Sequence, residues 1–383
     1  MALRDSADSN SGKQLDARPL PAATLEPHGG LSQTAQVSII VPFYNHPHDL
    51  EQCLSALLAS EYTNSEILVI DDASTTNEGR QIAAGLGARV LAFETNLGPS
   101  SARNYGARHA VGDILFFVDA DVVVGPDAVG RVVEVFERNP DVAAVFGSYD
   151  DRPRAAGLVS QYRNLLHHYV HQHGSTTAST FWAACGAIRR SVFVDIGGFD
   201  DEHYPRCIED IELGYRLRGA GYRILLDKGL QGTHLKKWTL SSMVRTDVLC
   251  RAVPWTRLIL ETKRAPDDLN IKGTQRVSAG LTGLAMLLML IAPFRNAALI
   301  PAALALLVVL ALNLTLYVFF ARRRGVLFAA GAMVLHLLYF IYGALTYAYV
   351  ICAFQLRRTV ATSSPAGDGK TLVRPGRRTP SPS

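Results

Sequence analysis

Two aspartates one residue apart close the apolar run "DILFFVDADVVV", residues 113–124. In an extended chain the side-chain period is two, so Asp119 and Asp121 share a face. Adjacent carboxylates repel, and one moves toward its neutral form unless a cation sits between them. An isolated pair of this kind can also be a solvated strand end, so the rest of the chain must decide. Other polar residues stand at comparable places. Asn45 follows "VSIIVPF", Asp71 and Asp72 follow "EILVI", and Glu209-Asp210 open "EDIELGYRL". Such carboxylates can accept from a base N–H or a ribose hydroxyl. They can bind hard divalent cations such as Mg²⁺ or Mn²⁺, or take a proton from an attacking hydroxyl.

The elements that position these residues are legible from Val37 onward. "VSIIVPF", "EILVIDD", "RVLAF", "DILFFVDAD" and "VAAVFGS" read as strands. Between them "HDLEQCLSALLAS", "EGRQIAAGLG", "PSSARNYGARHA" and "DAVGRVVEVFERNP" read as helices. In the first helix Leu50, Cys53, Leu54, Leu57 and Leu58 recur at helical spacing. Pro99 falls in a first turn, where its missing N–H costs nothing. Alternating strands and helices predict an α/β fold, a parallel sheet with helices on both faces. Ligands then bind beyond the carboxyl ends of the strands. Asn45, Asp71, Asp72, Asp119 and Asp121 all stand at such ends. Residues 150–235 read as a less regular second half of the same domain.

The chain has 383 residues, 48% hydrophobic, and the apolar excess collects late. Three apolar stretches lie near 277–293, 297–321 and 326–354. A span needs roughly 20 apolar residues, so two or three transmembrane helices are expected within 276–356. Net charge is +4, and the small basic clusters Arg322-Arg323-Arg324, Arg357-Arg358 and Arg377-Arg378 sit beside the apolar segments. That placement fits a membrane surface and not nucleic acid. Residues 239–275, which carry Trp255 and follow directly on Trp238, read as interfacial helices on a bilayer or as a covering layer of the domain. The five cysteines form no metal-binding pair and no disulfide framework, which favours a reducing compartment. Segments 1–35 and 357–383 are polar and are expected to be disordered. His167, His168, His171 and His173 read as a polar helix face.

Six pieces now stand in order: "VSIIVPFYNH", "EILVIDDAS", "NLGPSSARNYGA", "FVDADV", "GGFDE" and "EDIELGYRL". Together, from about Val37 to His234, they resemble the inverting glycosyltransferases of family 2. The resemblance implies a GT-A fold, a Rossmann-like mixed sheet over residues 36–238, and a nucleotide-diphosphate sugar as donor, UDP-linked. It implies a base and ribose site from Pro42, Phe43, Asn45, Asp71, Asp72, Asp119 and Ala120. Asp71 and Asp72 could instead cap the turn before Ser74 and Thr75. Gly98 would let the backbone pass the nucleotide, and Arg103 would hold phosphate or base. Asp121, with Asp119 and His234, would hold Mg²⁺ or Mn²⁺. Asp210, beside Glu209, would be the base that deprotonates the acceptor, its place at a helix start favouring the charged form. Trp182, Cys185 and Gly186 match the loop that lines the acceptor side.

The whole describes a multi-pass enzyme of the inner (plasma) membrane with a cytosolic transferase domain. It would act on a lipid-linked or membrane-proximal acceptor in cell-envelope glycan synthesis. Two alternatives stay open: transfer onto polyprenyl phosphate itself, and a catalytically silent membrane binding protein of this fold. Lys236, Lys237 and Trp238 depart from the Q-x-x-R-W segment of processive relatives, which speaks against polymer synthesis.

Overall fold

Ile39, Ile40 and Val41 are fully buried, as are Ile114 through Val118, because helices cover both faces of the strands they form. The computed structural model describes residues 36–269 and 272–363, with side chains as far as 356. The sheet domain runs β1 (Val37–Phe43), α1 (Pro47–Leu58), β2 (Ser65–Asp71), α2 (Glu78–Gly85), β3 (Arg89–Ala92), α3 (Pro99–His109) and β4 (Ile114–Val118). It continues with β5 (Val122–Val124), α4 (Ala128–Arg138), β6 (Val142–Tyr149), α5 (Leu158–Gln172) and β7 (Cys185–Arg189). It ends with α6 (Arg190–Asp195), α7 (Glu209–Gly219) and β8 (Arg223–His234).

The eight strands lie in the order β3-β2-β1-β4-β7-β6-β8-β5. The first four are parallel, as their alternation with helices predicts. The second half is mixed: β7 runs antiparallel to β4 and β6, and β5 runs antiparallel to β8. One apolar cluster packs α1 and α4 on one face of the sheet. A second packs α3, α6 and α7 on the other, where Phe117, Phe193 and Phe199 meet edge to face.

After the sheet come α8 (Leu240–Asp247), a π-helical turn (Val248–Ala252) and α9 (Val253–Thr262). A capping box starts α8: Thr239 Oγ1 accepts from Ser242 N, and Ser242 Oγ accepts from Thr239 N. Then follow α10 (Gly273–Ile291), α11 (Leu299–Leu312), α12 (Leu314–Arg324) and α13 (Val326–Ser363). Two of these, α10 and α13, are long and apolar enough to cross a membrane. The stretch expected as a single middle span is bent by 60° between α11 and α12. Asn313 sits at the break and donates to Ser278 Oγ at 3.0 Å and to Val309 O at 2.8 Å. Past the break α12 docks on α5. Tyr169 Oη donates to Thr315 Oγ1 at 2.7 Å, Arg324 donates to Gln161, and Arg323 pairs with Asp151. The Arg322–Arg324 cluster therefore lies beside the sheet domain. Leu287, Leu290, Ile300, Leu304 and Leu307 leave an exposed apolar band on the α10–α11 hairpin.

Helix α13 continues to Ser363, past the boundary expected at 357. The disorder expected for residues 1–35 and for the remaining tail lies outside the described residues.

Candidate active site

A cavity of about 840 Å³ opens at the carboxyl ends of the strands. The β1–α1 loop contributes Pro42, Phe43 and Asn45, and the end of β2 contributes Asp72. Asp119, Ala120 and Asp121 form the turn between β4 and β5, closed by Val122 N donating to Asp119 O at 2.9 Å. Glu209 and Asp210 come from the first turn of α7, His234 from the end of β8, and Trp182 from the segment before β7. Thr246, Cys250, Arg251 and Trp255 close the wall from α8, the π turn and α9.

Sheet pairing makes the Asp121 site. Val122 pairs with His234, and Leu235 N donates to Asp121 O at 2.9 Å. His234 Nε2 then lies 3.4 Å from Asp121 Oδ2. Its Nδ1–H donates to Asn164 Oδ1 at 2.8 Å, and its ring stacks on Tyr149 with centroids 4.3 Å apart. With Nδ1–H so engaged, Nε2 meets Asp121 either through a second proton or through a shared cation. Burial alone would push the Asp121 carboxyl up, but His234 and Lys236 hold it below the usual carboxylate range. One carboxylate and one imidazole, with room for phosphate oxygens, fit a hard divalent ion that keeps part of its shell for substrate.

Asp119 is arranged differently. Arg103, 4% exposed, donates to Asp119 Oδ1 at 2.6 Å and to Glu209 Oε1 at 2.7 Å. Its guanidinium is thus committed to two carboxylates, a strut and not a free fork. Burial raises the Glu209 carboxyl to about 7 despite Arg103. Asp210 Oδ1 accepts from Ile211 N at 2.8 Å and Oδ2 from Ala183 N at 3.2 Å. Burial outweighs these bonds and Arg103, so its pKa is raised. The helix start does not prevail as expected from sequence.

Several expected residues serve the cavity from beneath. Asp71 faces away from it: Oδ1 accepts from Ser74 N at 2.9 Å, and Arg80 Nε stands 3.0 Å from Oδ2. That is the turn-capping alternative. Asp72 Oδ1 and Oδ2 accept from Leu97 N at 2.7 Å and Gly98 N at 2.9 Å, fixing that loop. Gly98 has φ +97°, and a Cβ there would lie 2.3 Å from Pro205 O. Cys185 and Gly186 are fully buried in β7 and do not line the cavity, because the segment read as an acceptor loop pairs with β4 and β6. Of that trio only Trp182 reaches the wall.

Apart from Trp182, sequence reasoning missed the aromatic side of the cavity. The rings of Tyr149, His167, His171 and Trp182 meet at centroid distances of 4.0–5.4 Å. His171 Nδ1 bonds Gly147 O and His168 Nδ1 bonds Tyr149 O, so the helix face read as polar packs against β6. Burial drives His167 and His171 well toward neutrality. The i, i+4 spacing of His167 and His171 was the available signal. Arg206 and Arg251 were also missed, since a lone arginine outside a motif carries no local mark.

A family model described as glycosyl transferase family 2 matches residues 38–197. The chain is 28% identical over 243 residues to the O-antigen biosynthesis protein RfbC of Myxococcus xanthus, covering 58% of this chain and 19% of that one. It is 26% identical over 209 residues to a poly-β-1,6-N-acetyl-D-glucosamine synthase of Staphylococcus aureus, covering 52% of this chain and 50% of that one. The chain thus spans half or less of the length of these two relatives. Among solved structures, the mannosyltransferase PcManGT from Pyrobaculum calidifontis, in complex with GDP-Man and Mn²⁺, shares the fold. Its TM-score is 0.53 at 22% identity, over 88% of this chain and 91% of that one.

Proposed function

We infer that this chain is a family 2 glycosyltransferase, on the family match over residues 38–197 and the likeness to two relatives of that kind. From that premise we propose that it moves a sugar, with inversion, from a nucleotide-diphosphate donor to a lipid-linked or membrane-proximal acceptor in cell-envelope glycan synthesis. One observation carries the reading. A single cavity gathers the strand-end acids Asp72, Asp119 and Asp121, Asp210 at a helix start, and residues of the helices that lead into the membrane segments.

In this reading Pro42, Phe43 and Asn45 frame the base, and Asp119, held by Arg103, meets the ribose. Asp121 and His234 would hold a divalent cation, which when bound supplies positive charge to the departing diphosphate. Lys236, beside Asp121, adds fixed positive charge at the same end. Asp210 takes the proton of an attacking hydroxyl. A carboxyl raised by burial is a stronger base than an exposed one, which suits that task. The acceptor enters along α8 and α9, and anchoring in the membrane raises its effective concentration. The Arg322–Arg324 cluster, on the same side as the sheet domain, supports a cytosolic placement.

The test is nucleoside-diphosphate release from a panel of UDP- and GDP-linked sugars, with the full chain in lipid and Mn²⁺ or Mg²⁺. One donor should be turned over, and Asp210→Asn should lower the rate by ~10²–10⁴-fold while donor affinity persists. Absence of both release and donor binding across the panel would leave a silent protein of this fold.

A further inference from the structure

Arg251 stands in the cavity wall on the π-helical turn between α8 and α9. Such turns insert one residue into a helix and recur where a side chain must be re-aimed. Its nearest carboxylate is Asp247, at 3.9 Å, beyond hydrogen-bond reach. Both oxygens of Asp247 are already taken: Oδ1 accepts from Arg163 Nη2, and Oδ2 accepts from Tyr342 Oη at 2.6 Å. Two guanidinium groups share one carboxylate, and Arg251 makes no side-chain hydrogen bond among the described residues. Burial and the like charge of Arg163 both work against its charged form, yet an arginine stays charged in proteins. Its side chain is 41% exposed, so a guanidinium with no hydrogen bond and only a shared, distant carboxylate is open to an anion in the cavity.

The surroundings say which anion. Two other cations of the wall, Arg206 and Lys236, stand toward the strand-end acids. Arg206 Nη2 donates to Asn96 O at 3.3 Å, on the loop that Asp72 fixes, and Lys236 lies beside Asp121. Arg251 instead feels Asp210, Asp247 and Tyr149, besides Arg163, and acts in turn on His167, His171, Cys207 and Tyr339. It is carried by the segment whose Leu240 and Leu249 are exposed, and whose Asp247 is bonded to Tyr342 of the membrane-length helix α13. A cation there lets an anionic group approach Asp210, whose carboxylate would otherwise repel it.

We infer that Arg251 holds the lipid phosphate of a prenyl-linked sugar acceptor, whose sugar hydroxyl is the one Asp210 deprotonates, and so selects a phosphate-bearing lipid over a neutral one. The inference rests on the glycosyltransferase reading for its context, but binding alone can test it. All three tryptophans of the chain, Trp182, Trp238 and Trp255, line this cavity, so intrinsic fluorescence reports its occupancy.

The full chain in neutral phosphatidylcholine nanodiscs would be titrated with citronellyl phosphate and with citronellol. The phosphate should bind at least ~10-fold more tightly than the alcohol, and Arg251→Gln should remove that advantage. Arg251→Lys should keep part of it, which guards against a folding defect in the first variant. Donor affinity by calorimetry should stay within about twofold in both variants. Equal binding of phosphate and alcohol to the wild type would overturn the inference, as would unchanged phosphate affinity in Arg251→Gln. If Arg251→Gln weakens the donor as much as citronellyl phosphate, the anion it holds is the donor's diphosphate and the inference fails. Failure of the functional reading is separate: no donor would bind or turn over, whatever the prenyl titration shows.

Discussion

Strands β2 and β4 flank β1, and each ends in a pair of aspartates, yet the two pairs have opposite fates. At β2 the protein supplies a donor or cation for every carboxylate oxygen. Ser74 N and Arg80 face Asp71, and Leu97 N and Gly98 N face Asp72. At β4, Arg103 takes one oxygen of Asp119, while Asp121 looks across 3.4 Å at an imidazole nitrogen in the cavity. Residue type is the same, and both pairs stand at the carboxyl end of a parallel strand. What differs is how many N–H groups the surrounding backbone turns toward the acid. A pair that the fold has satisfied is scaffolding, and a pair left short of donors is a place for a ligand.

Asp121→Asn attacks the open pair. Nucleotide release should fall by ~10²–10³-fold, the loss typical when one electrostatic stabiliser is removed, with little change in melting temperature. Turnover within a few-fold of wild type would break the distinction between the pairs. At the satisfied pair the signature reverses. Asp72→Ala leaves two backbone donors without acceptors and should cost ~1–3 kcal/mol for each group that stays buried, read by chemical denaturation. A stability loss near zero would mean that water replaces the carboxylate and that the loop is not held by it. Gly98→Ala sharpens the same point. Its positive φ and the close Pro205 carbonyl predict a loss of ~1–3 kcal/mol. The smallest effect belongs to the membrane link. Tyr342→Phe should cost ~0.5–1.5 kcal/mol by freeing one oxygen of Asp247. That oxygen would then be open to Arg251, so citronellyl phosphate affinity should fall and not rise.

Much of the first half was legible because its signals are local. β1, α1, β2, α3 and β4 follow from apolar runs and helical spacing within single stretches, and the strand-end acids follow from them. The second half was not. "AACGAIR" lay in the stretch read only as less regular, its Cys185 and Gly186 taken as acceptor loop, and only pairing with β4 and β6 made it β7. Cys185 and Gly186 were misplaced for that reason. Gly186 is needed because a Cβ would meet Trp182 O at 2.3 Å, a tertiary contact with no trace in spacing. The histidines of α5 were misread because their burial depends on β6 and on α12 docking from outside the domain.

The sequence by itself determined which residues could be strand ends, which acids would stand there, and which stretches are apolar enough to reach a membrane. Tertiary structure alone decided which of those acids remain open. It joined β5 to β8, and so brought His234 to Asp121. It turned Arg103 inward between Asp119 and Glu209, and it left Arg251 beside an already satisfied Asp247. The physical reason is range. Side-chain periodicity is fixed by a residue's immediate neighbours, whereas the satisfaction of a charge depends on every donor that the folded chain brings within about 3 Å of it.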